Sequence, residues 1–201
     1  MRTLVIQAGG ESRRMGRDKA LVPFLGQPLI QRVLERLRPV AEEHLITTNH
    51  PQNYLFLGLP LITDIFPGRG ALGGLYTALQ AARNPFVAVV ACDMPFANPQ
   101  FFQTLFEMLE NSHVDAVIPQ SEEGSESFHA VYRKETSLAL VREAIEEGYW
   151  RADAWFASAN IRFLSIEEVK VIDPSGLIFR NVNTPEEFAA AEELARQIEN
   201  S

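Results

Sequence analysis

The sequence predicts an α/β fold: one domain built on a mainly parallel, twisted sheet with helices on both faces. Three observations predict it. Apolar, β-branched runs alternate with segments of helical periodicity along the whole chain. The run "FVAVVACD" (86–93) lacks polar alternation, as expected of a strand covered on both faces. A length of 201 residues with 46% hydrophobic content supplies one sizeable core and not two.

The elements follow in order. "TLVIQA" (3–8) is a short buried strand that Gly9 and Gly10 stop, opening onto a loop. "LIQRVLERLRPV" (29–40) places Leu29, Ile30, Val33, Leu34 and Leu37 on one helical face and ends at Pro39. "HLITT" (44–48) and "LPLITD" (59–64) read as short strands, and "GALGGLYTALQAA" (70–82) as a helix with a stripe of Leu72, Leu75, Tyr76 and Leu79. After the strand at 86–93 come a helix at 99–109, strands "DAVIP" (115–119) and "FHAVYR" (128–133), a helix at 135–147 and a strand "IRFLS" (161–165). The last helix starts at Pro185, where Thr184 and Glu187 spell a cap and its capping-box partner. The polar stretch "QSEEGSES" (120–127) reads as a mobile loop; repeats, low-complexity tracts and flexible linkers are not evident.

Charge and cysteine usage exclude several classes. Eighteen basic against 26 acidic residues give a net charge of −8, which disfavours nucleic acid and anionic membrane surfaces as partners. No apolar run reaches the roughly 18 residues of a membrane span, and the N-terminal apolar stretch is too short for a secretory signal. The lone Cys92 cannot form an intrachain disulfide, so a cytoplasmic setting is expected. His44, His50, His113 and His129 show no metal-ligand spacing.

Against that acidic background, "IQAGGESRRMGRDKALV" (6–22) carries, between Arg13 and Lys19, the four cations Arg13, Arg14, Arg17 and Lys19 against one Asp18. Gly9 and Gly10 allow close backbone approach, so their N–H groups could meet phosphate oxygens while Arg13, Arg14 and Lys19 neutralise charge. The spacing is neither that of a P-loop nor GxGxxG, which excludes two familiar phosphate cradles. In open α/β sheets ligands sit beyond the carboxyl ends of strands, where this loop and Asp93 both fall. Asp93 is the best candidate for Mg²⁺, since a hard cation takes carboxylate and phosphate oxygens together.

"AGGESRRMGRDKAL" closely resembles the signature of the molybdenum cofactor guanylyltransferase (MobA) family of nucleotidyltransferases. Gln7 stands where the family usually has leucine. The likeness continues through "GALGGL", "CDMPF", "FHAVYR" and "NVNTPEEF", in the family's order and over nearly the whole chain. It implies a Rossmann-like nucleotidyltransferase fold and transfer of GMP from Mg-GTP to the terminal phosphate of molybdopterin. Residues 1–95 are expected mainly to bind nucleotide, and 96–201 to form the acceptor side and close the metal site. The resemblance assigns Lys19 to the nucleotide phosphates and the leaving pyrophosphate, with Arg14 beside it. Gln7, Ala8, Gly9, Gly10, Thr47, Asp64 and Gly70 are expected along the nucleotide, with Asn49 competing for the role of Thr47. Gly73 and Gly74 are expected to allow close approach of the nucleoside, unless they serve a tight helix–sheet contact. Asn183, rather than Asn181, is expected to join Asp93 at Mg²⁺. His129 matches a segment bordering the acceptor, although a core histidine reads equally well; the tryptophans and Arg151 of "GYWRADAWF" could line a pterin pocket. Contacts with other cofactor-biosynthesis proteins are a further expectation. The alternatives are a relative using CTP or a sugar phosphate, and a non-catalytic nucleotide sensor.

Overall fold

The structure is a computed structural model and describes residues 1–9 and 18–200. The chain begins with β1 (Arg2–Gln7), a hairpin of β2 (Pro23–Phe24) and β3 (Gln27–Pro28), α1 (Leu29–Leu37), β4 (Glu43–Thr47) and β5 (Leu61–Ile62). Next are α2 (Gly70–Ala81), β6 (Phe86–Ala91), α3 (Pro99–Glu110), β7 (Ala116–Ser121), β8 (Gly124–Ser125), β9 (His129–Arg133) and α4 (Lys134–Glu146). β10 (Ile161–Leu164), α5 (Ile166–Ile172) and α6 (Pro185–Glu199) complete it. Among the described residues eight strands form one sheet in the order β10-β7-β9-β6-β1-β4-β5, with β8 paired to β7, and β2 and β3 pair separately.

β1 lies between β4 and β6, parallel to both, with Gln7 opposite Thr47 on one side and Ala91 on the other. Three strand ends are thereby aligned at one edge of the sheet, and Asp93 follows two residues beyond. Period-two alternation splits the core: Leu4 and Ile6 join the cluster beneath α1 and α3, while Val5 joins that beneath α2 and α4. A third cluster, with Val22 and Phe24 from the hairpin region and Val182 and Phe188 from the chain's end, fastens α6 to the start of the fold. Phe24 and Phe188 meet edge-to-face at 5.4 Å.

Three features differ from the sequence reading. β9 runs antiparallel to both β6 and β7, a pairing that apolar periodicity cannot reveal. The stretch expected to be a mobile loop is largely a tight β7–β8 hairpin, closed by Glu126 N–H to the Pro119 carbonyl at 2.9 Å and Ser121 Oγ to Glu126 at 2.6 Å; polar composition marked exposure, which hairpin pairing tolerates. α5 was not expected, although Ser165 and Glu168 form a capping box.

His129 proves to be a core residue, with no exposed surface and ring centroids 4.7 to 5.9 Å from Phe101, Phe102 and Phe179. Neither ring nitrogen has a partner among the described residues. Burial pushes its pKa down to about 3 from 6.5, so between those values the unfolded chain binds the extra proton. This group therefore leaves stability intact above pH 6.5 and removes it as pH falls towards 3. Denaturant titrations at pH 7.5 and 5 should show His129→Leu losing up to about 2 kcal/mol less than wild type on acidification. Equal losses would mean that other groups dominate.

Candidate active site

Beyond the aligned strand ends the chain brings together Lys19, Asp93 and Asn183. Lys19 opens a short 3₁₀ turn (Lys19–Leu21) whose cap is Asp18, accepting from the Ala20 N–H at 3.2 Å. The fully buried Tyr54 fixes Asp18 from the other side, its hydroxyl donating at 2.6 Å. The base of Lys19 is thus held while its four-carbon stem is left to reach. Asp93 follows β6, where Cys92 N–H donates to the Gln7 carbonyl at 3.1 Å and continues the parallel ladder. Asn183 is delivered from the far end of the chain: Val182 N–H donates to the Asp93 carbonyl at 3.1 Å, and Glu187 accepts from the Asn183 N–H at 2.7 Å. The capping box of α6 therefore also holds a site residue.

The Lys19 ammonium is 2.5 Å from Asp93 Oδ2 and 2.8 Å from Asn183 Oδ1. Both side chains of the ion pair are only 15% exposed. Asp93 Oδ1 is buried and unpartnered among the described residues. The described residues contain no group of three or more His, Cys, Asp or Glu that could cage a metal. One carboxylate and one carboxamide nevertheless suit Mg²⁺, which keeps waters and takes phosphate oxygens besides one or two protein ligands. The Lys19 ammonium already sits between Asp93 Oδ2 and Asn183 Oδ1. Burial, with the Asp93 charge beside it, pushes the Cys92 thiol up, so it stays protonated at neutral pH and is no nucleophile.

The other expected residues divide. Gln7, at the end of β1, lays its carboxamide over Gly74, where a Cβ would stand 3.1 Å from Nε2; that nitrogen is buried and unpartnered among the described residues. The Ala8 N–H is committed to the Thr47 carbonyl at 2.8 Å. Gly9 is exposed, and a Cβ there would meet nothing within 4 Å among the described residues. Thr47 is buried at 3% exposure; Asn49 instead reaches Asp64, through reciprocal hydrogen bonds of 2.9 and 3.2 Å. Gly70 has φ +55°, a conformation that side chains disfavour, and starts α2 beside the Trp150 carbonyl. Gly73 is required by packing, since a Cβ would stand 2.9 Å from the Arg69 Cβ and 3.0 Å from the Phe66 carbonyl. A tight internal contact requires Gly73, whereas at Gly74 the neighbour is the end of the Gln7 side chain. Gly10, Arg13 and Arg14 lie outside the described residues.

The aromatic pair of "GYWRADAWF" separates. Trp155 is a core residue at 1% exposure, its Nε1 donating to the Ala152 carbonyl at 3.0 Å. Trp150 is 59% exposed, with the Arg69 guanidinium 6.0 Å from its ring, and Arg151 pairs with Asp153 at 2.7 Å. Sequence reasoning missed Asp18, Tyr54 and Glu187 as positioning residues. Asp18 stood inside the quoted motif and Glu187 inside the capping box, whereas nothing local marks Tyr54.

Comparison with known proteins gives concordant matches. The profile of the MobA-like NTP transferase domain matches residues 4–159. "Molybdenum cofactor guanylyltransferase" of Desulfosudis oleivorans is 34% identical over 191 residues, covering 94% of both chains. "Probable molybdenum cofactor guanylyltransferase" of Natronomonas pharaonis is 36% identical, covering 96% of this chain and 97% of that one. Among solved structures, molybdopterin-guanine dinucleotide biosynthesis protein A of Archaeoglobus fulgidus superposes with a TM-score of 0.83 at 26% identity, over 97% of this chain and 99% of the other. No helix among the described residues is long and apolar enough to cross a membrane.

Proposed function

The chain belongs to the family of MobA-like NTP transferases, and from that premise we propose that it transfers GMP from GTP to the terminal phosphate of molybdopterin, releasing pyrophosphate. An oxygen of the acceptor phosphate attacks the α-phosphorus; the bond from that phosphorus to the bridging oxygen breaks, and the electron pair leaves with pyrophosphate. The attacking group is already an anion, so no protein base is needed.

The observation that carries this reading is the convergence of Lys19, Asp93 and Asn183 at the carboxyl end of the sheet. Lys19 offsets charge growing on the pyrophosphate, a positioned-charge contribution that needs no protein nucleophile. Asp93 and Asn183 hold Mg²⁺ through their side-chain oxygens. When bound, the ion supplies charge neutralisation and orientation at the phosphates. Gln7 at the end of β1, Gly9 beyond it, and the Asn49–Asp64 pair beyond the ends of β4 and β5 serve the nucleoside. Residues 1–95 mainly hold the nucleotide and 96–201 mainly the acceptor. Arg14 and Gly10 complete the phosphate cradle. The test is to incubate the protein with Mg²⁺, molybdopterin and each nucleoside triphosphate in turn and identify the product by mass. Formation of the cytosine dinucleotide in preference to the guanine one would overturn the assignment.

Selection of guanine is assigned to Gly9, at the foot of the glycine-rich loop that follows β1. No described residue comes within 4 Å of a Cβ at Gly9, so the effect of Gly9→Ala is expected on the bound base. The variant should keep its melting temperature and lose kcat/KM for GTP at least about tenfold more than for CTP, as expected where buried polar groups of a mispaired base cost about 1–3 kcal/mol. An equal loss for both nucleotides would assign Gly9 to the loop alone.

A further inference from the structure

We propose that Lys19 is an internal counter-cation that closes the divalent-metal site of the nucleotide-free protein and is drawn off by the triphosphate, so that metal and nucleotide enter as coupled ligands. The proposal rests on the reading of Asp93 and Asn183 as metal ligands.

Its geometry is direct. The ammonium holds two of the three side-chain oxygens that Asp93 and Asn183 offer a metal, at 2.5 Å on Asp93 Oδ2 and 2.8 Å on Asn183 Oδ1. Mg²⁺ takes oxygen ligands at about 2.0–2.1 Å, so it cannot share those two atoms with an ammonium in place. Two cations on one half-buried carboxylate would also repel each other in a poorly screened setting. Asp93 keeps one oxygen, Oδ1, buried and without a partner among the described residues, so the single ammonium leaves the carboxylate incompletely satisfied. The lock is consequently reversible.

The release is built in as well. Asp18 and Tyr54 pin the backbone at the foot of Lys19, and the flexible stem lets Nζ move without disturbing the fold. A triphosphate carries more negative charge than one carboxylate and one amide oxygen, and competes for the ammonium. Its departure exposes Asp93 and Asn183 together. By linkage, nucleotide then raises metal affinity and metal raises nucleotide affinity by the same factor. Free Mg²⁺ alone is a poor ligand of this protein.

The test measures Mn²⁺ binding to the nucleotide-free protein from the electron paramagnetic resonance signal of the free ion. Lys19→Met should bind at least about tenfold more tightly than wild type, a substitution that lowers turnover yet raises metal affinity. Lys19→Gln should behave likewise, and thermal melts report whether each variant folds. The gain should vanish in Lys19→Met/Asp93→Asn. Equal Mn²⁺ affinity in wild type and both lysine variants, whether tight or absent, would overturn the lock. Turnover by wild type in excess EDTA would instead overturn the metal reading itself, which separates the two failures.

Discussion

Asp93→Asn is expected to lower turnover by at least about 10³-fold, about 4 kcal/mol of transition-state stabilisation, while the chain still folds. The substitution keeps the shape and removes the charge. It leaves the backbone contacts of residue 93 intact, since the Asp93 carbonyl and not its side chain accepts from Val182. Lys19 loses its 2.5 Å partner but keeps Asn183. The pair is mostly but not wholly buried, so a stability loss of about 1–2 kcal/mol is expected, less than for a fully buried charge left alone. Single-turnover measurement of pyrophosphate release at saturating Mg²⁺ and GTP, with thermal unfolding alongside, checks both halves. Near-normal turnover would remove Asp93 from the chemistry.

Lys19→Ala should slow the reaction at least about tenfold at saturating GTP, because a charge positioned on a transferring phosphate contributes more than about 1.4 kcal/mol. The deficit should appear in kcat. A change confined to KM would mean that Lys19 only binds the ground-state nucleotide, and an unchanged rate would make it a structural partner of Asp93. Added Mg²⁺ should not restore the lost rate, since a free ion does not replace a charge positioned by the fold.

Much of this architecture was legible because its signals are local. The apolar run at 86–93 announced a central strand, and β6 is indeed flanked by partners on both sides. The capping box at Thr184 and Glu187 announced the start of α6. Lys19 and Asp93 were legible as charges at a glycine-bounded strand end and at the end of the most apolar strand. What local signals could not carry was pairing at a distance. The antiparallel insertion of β9 between β6 and β7 has the same apolar pattern that a parallel strand would have. No local signal in α2 shows that Gly73 packs against Phe66 and Arg69 or that Gly74 lies under the Gln7 side chain.

The sequence by itself determined most of the longer strands and helices, though not α5 or β8, and which residue types carry charge to the strand ends, because helix and strand periodicities, caps and glycine stops act over a few residues. It also determined the family, since five separate segments occur in order. Only the tertiary structure decided that Lys19 grips Asp93 and Asn183, residues 74 and 164 positions away. It alone decided that Tyr54 steadies Lys19 through Asp18, that His129 belongs to an aromatic core, and that Trp155 is buried while Trp150 is exposed. The physical reason is common to these cases. Each depends on which side chains the sheet order brings within about 3–6 Å, and hydrogen bonds and ring contacts act only at that range.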